Sequence, residues 1–205
     1  AKQAPNLQVL TELVGGTTTI EFNTSRPPLN DVRVRKALAH AVNRRADLKA
    51  SNDGFGRPST DWFGPESKWS CGGTTGYPEF NPGKAKALLA AYGKPVKFKM
   101  ITMPIKNFIV GAKVHQTFWK RLGVEVELKV VPPGPAYFRA VRSGKWDAWL
   151  VGISEAVDPG LQAQAFYSKN RSNITKSNFG DVDAALEKAW RSSKSDEIRK
   201  AAYCD

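Results

Sequence analysis

Segments with strand-like and helix-like patterns alternate along the chain after residue 80, and this alternation constrains the fold more than any other feature. Val96–Ile101 and Val124–Val130 alternate apolar and charged side chains, which is typical of strands with one buried face. Between them, Ile105–Leu122 carries apolar residues at helical spacing, and a further apolar strand is predicted over Trp146–Ile153. The alternation therefore predicts an α/β domain in which helices pack on a sheet.

The other helices of this region are predicted from their boundary residues. Asn81–Pro82 is a cap residue followed by proline at the first helical position, and Gly93 is a typical C-terminal stop. A short helix with the apolar set Tyr137, Phe138 and Val141 is also predicted. Asp158–Pro159 can start another that runs through Tyr167, and Asp181 can cap a third that runs through Trp190. A last helix is predicted over residues 195–205.

A well-delimited amphipathic helix is predicted within Pro27–Arg44. Asn30 or Asp31 can cap it by accepting hydrogen bonds from first-turn amides, and we expect the helix to end near Arg45 or Leu48. Its apolar face consists of Val34, Ala37, Leu38, Ala41 and Val42. Two extended segments within residues 6–25 precede it, and Gly15–Gly16 between them marks a turn or a place where the backbone packs closely.

Residues 51–80 form a long stretch rich in Gly, Pro, Ser and Thr, with aromatic residues at intervals. A loop of this length is uncommon inside a compact domain and is often functional. Its aromatic side chains either fix the loop to the protein surface or, in the case of Trp62 or Trp69, line a ligand cleft. The sequence leaves both readings open.

The charge of the chain raises the question of an anionic partner. Lysine and arginine number 31 against 19 acidic residues, for a net charge of +12. Nucleic-acid binding is therefore the alternative function. However, the basic residues are scattered along the whole chain, whereas a nucleic-acid footprint concentrates its charge, so no nucleic-acid partner is expected.

Nothing in the sequence indicates catalysis, a cofactor or a metal. His40 and His115, the two histidines, both lie within apolar helical patterns, and the common hydrolase, nucleotide and zinc motifs are absent. The two cysteines, Cys71 and Cys204, are too few for a metal site and could pair, although sequence cannot show that they come close enough. We therefore predict no catalytic and no metal-ligating residues.

Several segments, in order along the chain, resemble those of family 5 extracellular solute-binding proteins. The string PPLNDVRVRKALAHAVNR at Pro27–Arg44 resembles that family's P-P-F-x-D-V-R-V-R-x-A-L-x-x-A-I-D-R pattern. Gly16–Thr24 resembles G-G-T-x-Y-x-x-F-N-T, and Asn81–Leu89 resembles D-P-E-K-A-K-A-L-L. Leu122–Val126 is similar to L-G-I-x-V. The segment Tyr137–Asp147 resembles a further pattern of the family, and the pair Asp158–Pro159 resembles the end of another.

The resemblance implies an α/β fold with a mixed sheet flanked by helices, forming one lobe of a two-lobe periplasmic-binding-protein-like fold of type II, cluster C. Residues 1–205 would be the second lobe, with strands near the interlobe hinge at 1–25, the long loop at 51–80 and a truncated helix at 195–205. The first lobe would precede Ala1, and the chain would return to it after Asp205.

The resemblance also implies a function. Members of this family are binding components of ABC importers that capture peptides or related small solutes between two lobes and deliver them to a membrane permease. They have no enzymatic activity or cofactor of their own. Their expected location is the periplasm or, in a Gram-positive organism, the outer face of the membrane as an anchored lipoprotein.

Ligand-binding residues are predicted by carrying the family pattern over to this sequence. Peptide binders hold the ligand's ammonium group with an acidic residue shortly before the D-P pair. Counting back from Asp158 places Glu155 at that position, whereas counting forward from Gly152 places Ala156 there. The remaining predicted ligand residues are Asp158, Phe22, Asn23, Arg142, Trp62 and Trp69, with Arg139 as a second candidate for a ligand carboxylate.

Overall fold

The computed structural model describes residues 16–64, 67–73, 76–154, 158–192 and 195–205. The extended segment predicted before residue 15 and the candidate residue Glu155 lie outside these ranges. The elements in chain order are β1 Gly16–Phe22, α1 Val32–His40, α2 Arg44–Asn52, α3 Pro82–Tyr92, β2 Lys97–Thr102, α4 Lys106–Lys120, β3 Glu125–Val130, α5 Pro135–Arg142, β4 Ala148–Ser154, α6 Gly160–Ala163, α7 Gly180–Arg191 and α8 Asp196–Cys204.

The strands form one mixed sheet in the order β1-β4-β2-β3. Strand β1 is antiparallel to β4, with Gly16 opposite Ser154 and Phe22 opposite Ala148. Strand β2 is parallel to both β3 and β4. The connections through α4 and α5 run in opposite directions along this sheet. Because such crossovers are right-handed, these two helices lie on opposite faces.

Each face of the sheet carries its own hydrophobic core. The first core lies under α1, α3 and α4 and includes Leu38, Met100 and Leu150. The second core lies under α5, where Tyr137 and Trp146 pack together with Ile101, Val131 and Val141. Strand β4 serves both cores, because successive side chains of a strand point to opposite faces. The mixed α/β architecture predicted from the sequence is confirmed.

The prediction of one continuous helix beyond residue 41 is wrong. Helix α1 ends at His40, and Asn43 then adopts an extended conformation and caps α2, its side chain accepting a hydrogen bond from the Ala46 amide. Ala41 and Val42 remain buried at the junction although they are no longer helical. Asp31, one of the two predicted caps, accepts a hydrogen bond from the Arg33 amide.

Three further helix predictions need correction. Phe138 is not part of the buried face of α5, since 59% of it is exposed while Tyr137 and Val141 are buried. The helix expected through Tyr167 is the single short element α6. Helix α7 starts at Gly180, so Asp181 lies in its first turn rather than at its cap.

A disulfide bond between Cys71 and Cys204, with the Cα atoms 5.6 Å apart, joins the long segment that follows α2 to the last helix, α8. Phe63 and Trp69 on this segment are buried, and both rings contact Tyr203 of α8. Phe55, Tyr77 and Phe80 on the same segment are exposed. The loop is therefore fixed to the protein by some of its aromatic residues and by one covalent bond.

Candidate ligand-binding site

A cavity of about 660 Å³ lies beside the edge strand β1, on the face of the sheet that carries the first core. Its walls come from β1, the end of α1, α2, α4, Leu150 and Ile153 of β4, and the segment 55–64. Cavities that bind small molecules have volumes of about 300 to 1,000 Å³, so this one is large enough for such a ligand.

Phe22 and Asn23, at the end of β1, differ in their relation to this cavity. Phe22 lines the cavity and packs against the first core. The Asn23 side chain is buried and donates to the carbonyl oxygens of Gly144 and Trp146, each at 3.2 Å, and its Oδ1 accepts from Ser25. These bonds tie the end of β1 to the turn before β4. A ligand contact by Asn23 stays a prediction.

The two candidate tryptophans are separated by the structure. Trp62 lines the cavity, and its ring meets Phe166 edge to face with the centroids 4.6 Å apart. Trp69 is 2% exposed, and the Arg199 guanidinium lies 5.1 Å from its ring centroid. The cavity wall therefore includes Trp62, while Trp69 packs under α8.

Asp158 begins the short segment that leads into α6. Its Oδ1 accepts a hydrogen bond from the Gly160 amide at 2.8 Å and also pairs with the Arg199 guanidinium. The bond from the Gly160 amide, together with Arg199, holds the pKa of the Asp158 carboxyl below its usual value. Asp158 thus joins the region after β4 to α8, and its role toward a ligand stays a prediction, as does that of Glu155.

Arg139 and Arg142 lie in the last turn of α5 and are exposed. Helix α5 covers the second core, whereas the cavity adjoins the first core on the other face of the sheet. The structure therefore does not bring either arginine to the cavity wall. A contact with a ligand carboxylate stays a prediction for both.

Two ionisable residues that were not predicted as site residues, Asp47 of α2 and His115 of α4, lie in the cavity wall. The Oδ2 atom of Asp47 lies 3.9 Å from Nδ1 of His115, which is itself 2.9 Å from the Gly111 carbonyl oxygen. Burial raises the pKa of Asp47, an effect that the nearby His115 opposes. Asp47 stands in the first turn of its helix, where an acidic residue is ordinary, so the sequence offered no signal for it.

Neither a metal site nor a membrane-spanning helix occurs within the described residues. Within those ranges, His, Cys, Asp and Glu side chains form no group of three or more that is placed to hold a metal ion. None of the helices in the same ranges is long and apolar enough to cross a bilayer.

Comparison with known proteins gives consistent matches over nearly the whole chain. The profile described as "Bacterial extracellular solute-binding proteins, family 5 Middle" matches residues 1–173. Di/tripeptide-binding protein 3 of Pseudomonas aeruginosa is 27% identical over 204 residues, which cover 94% of this chain and 37% of that protein. Heme-binding protein A of Haemophilus influenzae is 28% identical over 199 residues, covering 92% of this chain and 36% of that protein.

A solved structure likewise aligns with nearly all of this chain over less than half of its own length. The Escherichia coli murein tripeptide binding protein superposes with a TM-score of 0.83 and 25% identity, over 99% of this chain and 41% of that one. The chain thus spans less than half of the length of each of these proteins and has the fold of one lobe of a type II periplasmic-binding-protein-like structure. Because the family profile covers most of its residues, the chain belongs to the bacterial extracellular solute-binding proteins of family 5.

Proposed function

We propose that this chain is the second lobe of the substrate-binding component of a bacterial ABC importer. The observation that carries this proposal is the superposition of 99% of the chain on 41% of a murein tripeptide binding protein, with a TM-score of 0.83. The complete protein would capture a peptide or a related small solute between two lobes and close around it by hinge motion.

The position of the cavity supports this role. It lies at the sheet edge formed by β1 and is also lined by Ile153 near the end of β4. Phe22 and Trp62, two of the predicted ligand residues, lie in its wall. Glu155 follows β4 directly in the sequence. A solute held here would thus contact at least Phe22 and Trp62 of the predicted ligand residues.

The proposal includes the partners and the location of the complete protein. The other wall of the cleft would come from the first lobe, and the loaded protein would deliver its solute to an ABC permease. The protein would act in the periplasm or, in a Gram-positive organism, outside the cell as an anchored lipoprotein. It would act by binding alone, without an enzymatic step.

A thermal-shift screen of the complete product of the open reading frame tests this function. The panel contains dipeptides, tripeptides, haem and nickel with histidine, since related proteins are named for ligands of these kinds. A ligand that binds the native state raises the unfolding temperature, so we expect one class to do so reproducibly. Absence of any shift, together with steeply salt-dependent retention on DNA, would instead favour the nucleic-acid alternative.

A further inference from the structure

The carboxylate of Asp47 is incompletely compensated within the wall of the cavity. Its Oδ1 atom is buried and has no hydrogen-bond partner among the described residues. Its Oδ2 atom lies 3.9 Å from Nδ1 of His115, and the side chain keeps 23% of its surface exposed. The Ser51 hydroxyl, which donates to the Asp47 backbone carbonyl oxygen at 2.8 Å, lies near enough to the carboxyl to stabilise its charged form as well. A carboxylate in this state gains more from an incoming cation than a solvated one does.

The other charged groups that line the cavity are already engaged. Both carboxylate oxygens of Asp61 accept hydrogen bonds, from the Phe63 amide and from the Cys71 amide and Ser70 hydroxyl. The Arg44 guanidinium donates to the Pro78 carbonyl oxygen and lies 4.8 Å from the centre of the Tyr77 ring. Arg57 also has an interaction partner. Asp47 is therefore the charge in this wall that is least balanced by its neighbours.

The surroundings of Asp47 offer space and an apolar surface. Gly111 of α4 faces it without a side chain, and a Cβ atom built there would lie 3.7 Å from Oδ1 of Asp47. Trp62 and Phe55 line the same cavity. An aromatic side chain can pack against the hydrocarbon part of an amine or stabilise its charge.

We propose that this cavity binds an organic cation and that Asp47 is the residue that selects it. The ligand class is a primary ammonium or guanidinium group on an apolar body, such as the basic side chain of a short peptide. This inference rests on the proposed function for its biological meaning, while its test requires only the cavity.

The test compares three probes of one shape on the isotope-labelled chain, namely phenethylamine, 2-phenylethanol and phenylacetate. Dissociation constants are measured at neutral pH from amide chemical shifts, with Gly111 and Ser51 as reporters in the cavity wall. We expect the amine to bind at least about tenfold more tightly than the alcohol, because a charge-assisted hydrogen bond contributes that much. The anion should bind most weakly.

Two variants then assign the preference to one carboxylate. Asp47→Asn should bring the dissociation constant of the amine to within about twofold of that of the alcohol, because the charge-assisted hydrogen bond is lost. Asp53→Asn removes the same charge at the other end of α2, outside the cavity lining, and should leave the preference unchanged. If Asp47→Asn does not fold, Gly111→Val narrows the same space and should weaken amine binding about tenfold or more.

Equal binding of amine and alcohol, an unchanged preference in Asp47→Asn, undiminished amine binding in Gly111→Val or unperturbed reporter amides would overturn the inference. Its failure is distinguishable from failure of the proposed function. A complete protein that binds no solute would refute the import role and leave amine selection by this cavity intact. Conversely, a complete protein that binds solutes, in a chain whose cavity does not prefer the amine, would refute this inference and leave the import role intact.

Discussion

Glu21 should make the stability of this protein fall as the pH rises from about 4.5 to about 7. It lies on the edge strand β1 opposite Trp149 and is 7% exposed, and its Oε2 atom has no hydrogen-bond partner among the described residues. Burial raises the pKa of this carboxyl from 4.5 to about 7. Since one pKa unit corresponds to about 1.36 kcal/mol, ionising Glu21 in the folded state costs about 3 kcal/mol.

The direction of the pH dependence follows from proton binding. Below pH 4.5 both the folded and the unfolded chain hold the proton, so Glu21 has no effect on the pH dependence of stability. Between 4.5 and about 7 the unfolded chain has released a proton that the folded chain retains, and the free energy of unfolding therefore decreases with rising pH. Above about 7 both states are ionised, and the full cost is present.

Urea unfolding of Glu21→Gln from pH 4.5 to 8.5 measures this effect. The difference in free energy of unfolding, variant minus wild type, should be about 3 kcal/mol larger at the high end of this pH range than at the low end, since glutamine does not ionise. Glu125→Gln is the matched control, because this side chain is 72% exposed on β3, and its curve should run parallel to that of wild type. Parallel curves for Glu21→Gln and wild type would refute the reasoning.

Four other predictions concern the disulfide, two glycines and the candidate acidic residue. Replacing Cys71 and Cys204 by alanine should lower the free energy of unfolding by about 2 to 5 kcal/mol, because the bond closes a separation of 133 residues. Gly111→Ala should stabilise the chain by about 0.5 to 1 kcal/mol, since its Cβ meets nothing closer than 3.7 Å within a helix. Gly152→Ala should destabilise it by about 1 to 3 kcal/mol, since its Cβ would lie 2.8 Å from an aromatic ring atom. Glu155→Ala in the complete protein should weaken binding of ligands with a free amino group.

Each of these has a direct check. In urea unfolding, a reductant should lower the free energy of unfolding of wild type to that of the double cysteine variant. A loss below about 1 kcal/mol would argue against a stabilising disulfide. The two glycine variants serve as controls for each other. Equal changes in the free energy of unfolding would contradict the conclusion that an added Cβ fits at Gly111 and clashes at Gly152. Calorimetry with a peptide and its N-acetylated form tests Glu155, and unchanged affinity for the free peptide would remove this residue from the site.

The sequence predicted the architecture well where local pattern determines structure. The alternating residues of Lys97–Thr102 and Glu125–Val130 form strands, and Asn81 and Gly93 bound α3 as expected. The first helix was predicted too long because its apolar spacing continues through Val42, whereas the Asn43 cap starts a new helix. Apolar periodicity alone does not show such a break.

The candidate site was less predictable, because its members come together only through tertiary packing. Asp47 and His115 belong to different helices, and each was unremarkable in its own segment. Trp62 and Trp69 have similar sequence surroundings, yet only Trp62 lines the cavity. The pairing of Cys71 with Cys204 likewise depended on a distance that sequence does not contain.

The central claim, that the chain is one lobe of a two-lobe solute-binding protein, is tested most directly by calorimetry of one ligand against two proteins. The ligand is the solute that stabilises the complete protein in the thermal-shift screen, and the proteins are that complete product and the 205-residue chain. We expect the complete protein to bind at least about a hundredfold more tightly, because under this proposal the chain supplies only one wall of the cleft and would desolvate the ligand incompletely. Submicromolar binding by the chain alone, at an affinity equal to that of the complete protein, would contradict this account.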